Sequence, residues 1–330
     1  MGVFIENRNL NYLVISGLIV LLLQDQNRWQ PWVFLYFIVL IYACSIDKSG
    51  AKDKANIFCI QLAVIAIYFY SGLHKLSPLF LDSVYKSILF ILFKIQKGDF
   101  LMVHTELGYA IPLLEISIGM LLSFQKTRRL GAELAIFSHI FILIYLSPFG
   151  INENYIVFPW NLAMIFLVYF LFYGEALVFD FPRTLFEKIR VIPVVLIFWI
   201  LPSLNFFGLW DNYLSFVLYA GRTNKYLVAI SDQYLHFIDQ NKKQFFMDEG
   251  QFKKLQKITT NDLAGCKIID VNHWSNLELG VPFYPESRTF KQLAHTFCKS
   301  EIPDSQLHFI EIKVPYSKKR FSKYSCKDLN

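Results

Sequence analysis

The stretch QLAVIAIYFYSGLHKLSP, residues 61–78, decides the predicted fold, because it is apolar along most of its length yet carries a regular row of polar side chains. Those polar side chains recur at helical steps of seven, three and four residues: Gln61, Tyr68, Ser71 and Lys75. A helix places them on one face. Gly72 lets a neighbouring helix or a ligand approach closely, and Pro78 ends or kinks the helix. The pattern predicts a membrane helix with one polar stripe.

The composition of the whole chain agrees with a membrane location. Hydrophobic residues make up 55% of the 330 residues, charged residues make up 18%, and the mean hydropathy is +0.38. Soluble domains carry roughly 25% charged residues. The composition therefore excludes a disordered chain, a collagen and a coiled coil, and it argues against an ordinary soluble enzyme.

Apolar runs extend on both sides of this stretch and predict an all-α polytopic helix bundle of about seven spans in residues 1–207. A span needs about 20 mostly apolar residues and must be helical in lipid. The predicted spans are residues 10–25, 31–46, 57–75, 107–124, 130–148, 156–174 and 190–207. Residues 80–93 are shorter and contain Asp82 and Lys86, so we expect an interfacial or re-entrant helix there.

The loop charges predict the orientation of these spans. Ten basic residues fall on one side of a seven-span arrangement: Arg8, Lys48, Lys52, Lys54, Lys126, Arg128, Arg129, Arg183, Lys188 and Arg190. The short loops of the opposite side hold Arg28, Lys86, Lys94 and Lys97. The positive-inside rule then places the N-terminus in the cytoplasm and the C-terminal domain outside it. This expectation describes a multi-pass protein of a bacterial inner (plasma) membrane, with the lipid bilayer as its first partner.

Residues 208–330 read as a small soluble α+β domain. Residues 225–230 and 233–238 look like paired strands, residues 248–257 and 287–299 look helical, and residues 306–316 alternate like a strand. The three cysteines of this part, Cys266, Cys298 and Cys326, allow one disulfide in an oxidising compartment. None of the chain's five cysteines has zinc spacing, so no metal site is expected. The basic residues are dispersed and show no nucleic-acid-binding signature.

Ionisable side chains inside predicted spans are costly, so each is a candidate functional residue. Lys75, Glu115 and His139 are the candidate catalytic residues, and we expect Lys75 or His139 to partner Glu115. The candidate ligand-binding residues are Tyr68, Ser71, His74 and Asn161. Structural interpretations stay open beside these. Lys75 could extend to the headgroups, and Glu115 could be one half of a structural ion pair. His139 could be a satisfied core residue, and Asn161 could be a structural anchor that hydrogen-bonds across helices.

Two segments resemble known membrane families. YFYSGLHKLSP, residues 68–78, resembles the Tyr-Phe-x-x-Gly-x-x-Lys-Leu segment of the HTTM family, the membrane part of vitamin K-dependent γ-glutamyl carboxylases. PLLEISIGMLLSFQKTRRLGA, residues 112–132, resembles DoxX-like and MauE-like bacterial membrane proteins. The resemblance covers about residues 57–175. VFPWNLAM and WDNYLSFVLYAG, residues 157–164 and 210–221, are similar to an uncharacterised bacterial membrane family.

The resemblance implies a function for Lys75, because the lysine of the carboxylase motif is the proposed base that deprotonates reduced vitamin K. After Leu76 the carboxylase pattern continues with a Trp and then a Gly, where this chain reads SPLFLDS. The large lumenal domain of the carboxylases has no counterpart in the shorter tail. The resemblance therefore favours a quinone- or redox-linked function, with a quinone as candidate cofactor and a membrane redox complex as candidate partner. The alternative is a non-catalytic scaffold, assembly or immunity-type protein that acts through its tail.

Overall fold

A computed structural model of the chain describes residues 8–44, 51–150, 157–173, 184–237, 244–247, 263, 265–313 and 321–329. The chain folds as two compact units, Met1–Gly221 and Arg222–Asn330. The sequence suggested a division after residue 207, whereas the structure keeps residues 208–221 with the first unit. Phe216 explains this difference, since its ring stacks on Phe198 with the centroids 5.5 Å apart and belongs to the core of the bundle.

The described residues of the first unit are mostly helical and include no strand. Its main helices are α1 (Arg8–Gln24), α2 (Pro31–Cys44), α3 (Ala51–Lys75), α4 (Ala110–Ser123), α5 (Arg128–Leu146), α6 (Phe158–Val168) and α7 (Leu185–Val195). α6 and α7 continue into π-helical turns at Tyr169–Tyr173 and Leu196–Ile200. Shorter α-helical pieces lie at Pro78–Phe80, Lys86–Ile91, Phe100–Val103 and Leu201–Leu204.

Four helical stretches are long and apolar enough to cross a membrane: Lys54–Lys75, Thr105–Ser123, Arg128–Leu146 and Lys188–Phe207. Three further apolar helices, Leu10–Gln24, Pro31–Cys44 and Phe158–Tyr173, have only 10–17 residues. Helix length therefore supports a mostly helical membrane unit but does not support the expected count of about seven spans. The reason is that these three apolar helices, two at the start of the chain and one between two helices of full length, stop short of the roughly 20 residues that a full crossing requires.

Helix α3 forms the centre of the bundle. In its most apolar 18-residue window 78% of the residues are buried inside the protein, against 28% for each of the other three span-length helices. A helix that is apolar on all sides packs in the interior, whereas the surrounding helices keep one apolar face outward. The polar side chains of α3 are consequently directed at other helices rather than at the surroundings of the protein.

Two glycines hold α3 and α4 close together. A Cβ atom built on Gly72 of α3 would lie 2.7 Å from the carbonyl oxygen of Pro112, and one built on Gly119 of α4 would lie 3.2 Å from the carbonyl oxygen of Ile65. Small residues at such crossings let helix backbones pack directly on one another. The crossing at Gly72 lies one turn before Lys75 and thereby fixes that side chain's distance to α4.

Residues 80–93, expected as an interfacial or re-entrant helix, belong to a helical segment that begins at Pro78 and ends at Ile91 (the segment 78–91). Ser77 caps its start by accepting a hydrogen bond from the Phe80 amide, and Pro78 occupies the first turn. A π-helical turn spans Leu81–Tyr85, and the α-helix Lys86–Ile91 follows. The segment buries Phe80, Leu81, Tyr85 and Leu89 and exposes the ion pair between Asp82 and Lys86. It thus has a buried apolar side and an exposed charged pair.

The second unit contains an antiparallel four-stranded sheet in the order β2-β1-β3-β4, with β1 at Lys225–Ser231, β2 at Cys266–Asp270, β3 at Leu307–Ile312 and β4 at Phe321–Tyr324. Helices α8 (Val271–Leu279) and α9 (Ser287–Phe297) complete it. Val228 of β1 pairs with Ile269 and with Phe309. The Phe309 ring contacts Phe290 of α9 edge to face, so the helices and one face of the sheet share a core.

The predicted elements of this unit are confirmed in three places and wrong in one. Residues 225–230 lie in the strand Lys225–Ser231, residues 287–299 are helical over Ser287–Phe297, and residues 306–316 contain the strand Leu307–Ile312. Residues 233–237 of the other predicted strand lie instead in a 3₁₀-helix that spans Asp232–Phe237. A tight hairpin after β1 would need residues that accept positive φ, and Ser231-Asp232 supplies no glycine. The predicted helix at 248–257 lies outside the described residues.

A disulfide joins Cys298 and Cys326, with their Cα atoms 5.7 Å apart, and Cys266 is a free thiol. The bond ties the end of α9 to the residues that follow β4. The sequence allowed one disulfide among the three cysteines without deciding which two would pair.

Candidate functional site

An ion pair between Lys75 and Glu115 lies at the centre of the candidate site. Lys75 is the last residue of α3, and Glu115 lies in the middle of α4. The Lys75 Nζ donates to Glu115 Oε1 at 2.8 Å and to Glu115 Oε2 at 2.6 Å. A third donation, at 2.7 Å, goes to the Ser71 hydroxyl one turn earlier on α3. An ammonium group has three N–H bonds, so all of them are used within the protein.

Both members of the pair are largely removed from the surface. The Lys75 side chain is 8% exposed and the Glu115 side chain 16% exposed. Taking two charges out of water is costly, and this cost is recovered only where geometry and hydrogen bonding are good. The short contacts and the Ser71 bond meet that condition. The side chain of Lys75 is therefore held in the interior rather than extended to the headgroups.

A second polar group links three helices. The Tyr68 hydroxyl of α3 lies 2.7 Å from Nε2 of His139 on α5, and Nδ1 of His139 lies 2.8 Å from Oδ1 of Asn161 on α6. The Asn161 amide nitrogen donates to the Val157 carbonyl, which leaves Oδ1 as an acceptor. His139 Nδ1 must then carry the proton, and a neutral imidazole accepts from Tyr68 at Nε2. The order of donation is Tyr68 to His139 to Asn161.

Two cavities meet at the Lys75–Glu115 pair. The larger, of about 270 Å³, is mostly apolar, and the smaller, of about 70 Å³, is lined by the two polar groups just described. The following residues line both cavities: Lys75, Glu115, Ser138, Ile142 and Tyr219. The ion pair thus lies in the wall between the large apolar cavity and a small cavity that also reaches Tyr68, His139 and Asn161.

Besides Lys75 of α3, four parts of the first unit line the large cavity. Phe80, Val84 and Ile88 come from the segment 78–91, and Ile111 and Leu114 come from α4. Helix α5 contributes a third wall: Phe137, Ser138, Phe141, Ile142, Tyr145 and Leu146. Tyr219, from the segment that follows α7, also lines the cavity. Pockets that are mostly apolar with a few convergent polar groups are the usual form of a small-molecule site.

The structure brings together six of the seven candidate residues that the sequence proposed. These six line the small cavity: Tyr68, Ser71, Lys75, Glu115, His139 and Asn161. His74 lies elsewhere, because its ring stacks on Phe206 with the centroids 4.5 Å apart. Adjacent positions on a helix point about 100° apart, so His74 cannot share the face of Lys75. Gln61 of the polar stripe also lies apart from the cavities and donates to the Leu171 carbonyl.

Sequence reasoning did not identify the aromatic residues Tyr145 and Tyr219 as part of the site. Tyr145 lines the large cavity and lies 3.0 Å from the Ser87 hydroxyl. Its position seven residues after Ser138 on α5 was a signal that could have indicated a shared face. Tyr219 lies outside any regular helix and has a φ of 50°, and no periodic pattern marks such a position. Within the described ranges, no group of three or more His, Cys, Asp and Glu side chains is placed to hold a metal ion.

Comparison of the chain with protein-family models, with curated proteins and with solved structures found no match in any of the three.

Proposed function

We propose that the chain is an integral membrane protein that binds a lipophilic ligand in the large cavity, with the Lys75–Glu115 pair at the ligand's polar end, and that its function is quinone- or redox-linked. The observation that supports this proposal is the apolar cavity of about 270 Å³ whose wall includes the Lys75–Glu115 ion pair. The protein would act directly on the ligand or as an accessory subunit of a membrane redox complex.

Several features of the site support this class of ligand. The walls are branched and aromatic side chains, which suit an alkyl or isoprenoid tail. Four of the five polar residues that line the large cavity also line the small one, which suits a compact head such as a quinone ring at that end: Lys75, Glu115, Ser138 and Tyr219. The similarity of residues 68–78 to the HTTM motif, and of residues 112–132 to DoxX-like and MauE-like proteins, is part of the same proposal, since those families are linked to quinone or thiol-redox chemistry.

The first test is binding of a decyl-substituted benzoquinone, oxidised and reduced, to the full-length protein in phosphatidylcholine nanodiscs. We expect Lys75→Met to abolish binding, because it removes the partner that holds Glu115 at the cavity wall. The control is Lys86→Met, since Lys86 lies on the neighbouring segment but is exposed and paired with Asp82. Unchanged binding by Lys75→Met would refute the role of Lys75.

We also propose a topology of seven crossings in a bacterial inner membrane, with the N-terminus in the cytoplasm and the second unit outside. Support comes from the three shorter apolar helices, which would add to the four of full length, from the ten basic residues on one side, and from the disulfide between Cys298 and Cys326. Disulfides persist in oxidising compartments. A C-terminal alkaline phosphatase fusion should be active, and a cytoplasmic signal would contradict the odd number of crossings.

The alternative function is a scaffold, assembly or immunity-type protein that acts through its second unit. The observation that favours it is the internal pairing of Lys75, Glu115 and His139, which a purely structural core would also show. Under this alternative, apolar replacement of all three residues leaves the cellular function intact, and truncation after Gly221 abolishes it. The quinone-linked function predicts loss of function from the triple replacement.

A further inference from the structure

We infer that Glu115, rather than Lys75, makes the polar contact to the ligand, and that it restricts the large cavity to neutral lipophiles that carry a hydroxyl group. This inference rests on the proposed function, because it takes the large cavity to be a ligand site. It assigns the chemistry of the ligand head and gives Glu115 a specificity-determining role.

The first step is the hydrogen-bonding capacity of Lys75. Its three N–H bonds are donated to Ser71 and to the two oxygens of Glu115, at 2.6–2.8 Å. A lysine ammonium has no further donor and no acceptor. A ligand could bind Lys75 only by breaking one of these three hydrogen bonds. The acceptor that lost its hydrogen bond would then be left unpaired in the interior.

The second step is the capacity to accept hydrogen bonds that Glu115 retains after it has paired with Lys75. A carboxylate offers about four lone-pair positions, and the hydrogen bonds that reach Glu115 from the described residues all come from Lys75. Glu115 lies on the wall of both cavities and its side chain retains 16% exposure. It can therefore accept a hydrogen bond from a group inside the cavity without losing its existing partner.

The third step is charge. Of the side chains that line the large cavity, those of Lys75 and Glu115 are the ones that carry charge, and together they are neutral. A lysine alone beside an apolar cavity would attract the fatty acids and anionic phospholipids that surround a membrane protein. The Glu115 carboxylate cancels that attraction and repels an anionic head. The pair consequently selects against the most abundant competing amphiphiles.

The requirement for a donor at the ligand head follows from these steps. A hydroquinone or a comparable phenol presents O–H groups to Glu115, whereas a quinone carbonyl can only accept. A hydrogen bond to a charged acceptor is worth about 1.5–3 kcal/mol, which corresponds to at least about tenfold in affinity. The site should therefore prefer the reduced form of a quinone to the oxidised form.

The test uses three probes on the full-length protein in phosphatidylcholine nanodiscs: a decyl-substituted hydroquinone kept under reducing conditions, its dimethyl ether, and palmitate. The ether has the same ring and tail as the hydroquinone but a methyl group in place of each O–H hydrogen, so it has no donor, and palmitate carries an anionic head. Bound ligand is quantified by mass spectrometry after gel filtration, with empty nanodiscs as background. The wild type should bind the hydroquinone at least about tenfold more tightly than either other probe.

The decisive variant is Glu115→Gln, which keeps the side chain's shape and leaves Lys75 with a net charge. It should raise palmitate affinity and reverse the order of palmitate and hydroquinone. Glu133→Gln is the matched control, because Glu133 is a half-exposed glutamate of α5, paired with Arg129 and absent from the cavity walls. That control should retain the wild-type order of affinities.

The results separate this inference from the proposed function. Equal binding of the hydroquinone and its ether by the wild type, or an unchanged order in Glu115→Gln, would overturn the inference while keeping the cavity as a ligand site. Failure of all three probes to bind the wild type would overturn both. Should Glu115→Gln not fold, the double variant Lys75→Met with Glu115→Leu removes both charges. It should lose the preference for hydroquinone over ether and still bind palmitate weakly.

Discussion

At the residue scale, the Lys75–Glu115 pair behaves as a unit. The two residues are 40 positions apart in sequence, yet both oxygens of the carboxylate accept from one ammonium in a largely buried position. Removing one member of such a pair leaves an uncompensated charge in the interior, while removing both members leaves none. The loss of stability caused by a single substitution is therefore larger than the net stabilisation that the pair contributes.

We predict that Lys75→Met lowers the free energy of unfolding by about 3–5 kcal/mol, and that the double variant Lys75→Met with Glu115→Leu recovers most of that loss. The measurement is reversible unfolding of the protein in detergent micelles, compared with Lys86→Met as the exposed lysine. A double variant as unstable as Lys75→Met would show that the buried charge of Glu115 is not the cause.

His308 of β3 provides a pH prediction in the second unit. Burial, with a further contribution from Lys323, lowers the pKa of His308 below its ordinary value of 6.5. The unfolded chain then binds the proton more readily than the folded chain, so stability falls as the pH drops below about 6.5.

We expect hydrogen-exchange protection factors of the β3 amides, which correct for the intrinsic pH dependence of exchange, to fall between pH 7.5 and pH 5.5. They should fall less in His308→Gln. The same substitution at His273, an exposed residue of α8, serves as the control. An equal loss of protection in the wild type and in His308→Gln would remove His308 as the cause.

Residue patterns predicted a large part of the candidate site. Lys75, Glu115 and His139 stood out because ionisable side chains are rare in apolar spans, and the structure pairs Glu115 with Lys75, one of two suggested partners. His74 was included because of its place in the motif, and the helical turn directs it elsewhere. Tyr219 had no sequence signal, since it is placed by a non-helical segment.

At the scale of elements, the crossing of α3 and α4 fixes the ion pair. Gly72 and Gly119 lie at its closest points. Overpacking of a close contact typically costs 1–3 kcal/mol, because either the side chains or the helix axes must shift. A shift of α4 away from α3 would lengthen the contact between Lys75 and Glu115.

We predict that Gly72→Ala destabilises the protein by about 1–3 kcal/mol and weakens ligand binding. Gly17→Ala is the matched control, because Gly17 lies in α1 with no atom within 4 Å of an added Cβ. Thermal unfolding and the nanodisc binding measurement together test the prediction. Equal behaviour of the two alanine variants would show that the close crossing has no energetic role.

Elements with strong periodicity were predictable, and those set by distant contacts were not. The apolar runs indicated the helices α1 to α7, and the alternation in residues 306–316 indicated β3. Residues 233–238 also read as a strand, yet the partners of β1 are β2 and β3. A local apolar pattern shows that a segment suits a sheet but leaves open which strand pairs with which, because pairing depends on the rest of the fold.

At the scale of the whole molecule, the disulfide between Cys298 and Cys326 stabilises the second unit. It closes a separation of 28 residues, for which loop-closure entropy gives about 3–4 kcal/mol. We predict that replacing both cysteines with serine destabilises the second unit by about that amount, measured by hydrogen exchange in the full-length protein. Cys266→Ser, at a free thiol, should have a much smaller effect. Equal losses in the two variants would contradict a role for the disulfide.

The π-helical turn at Leu81–Tyr85 gives the cavity wall one place where the chain can change length without changing the wall. Phe80 and Ile88 lie on either side of this turn and Val84 lies within it, and all three line the large cavity. A π-helical turn bonds residue i to i+5 rather than to i+4, so it holds one residue more than an α-helical turn. Deleting one residue from this turn that lines no cavity would restore α-helical geometry and keep Ile88 in place. The same deletion at Lys86 or Ser87 would rotate Ile88 by about 100° and turn it out of the cavity.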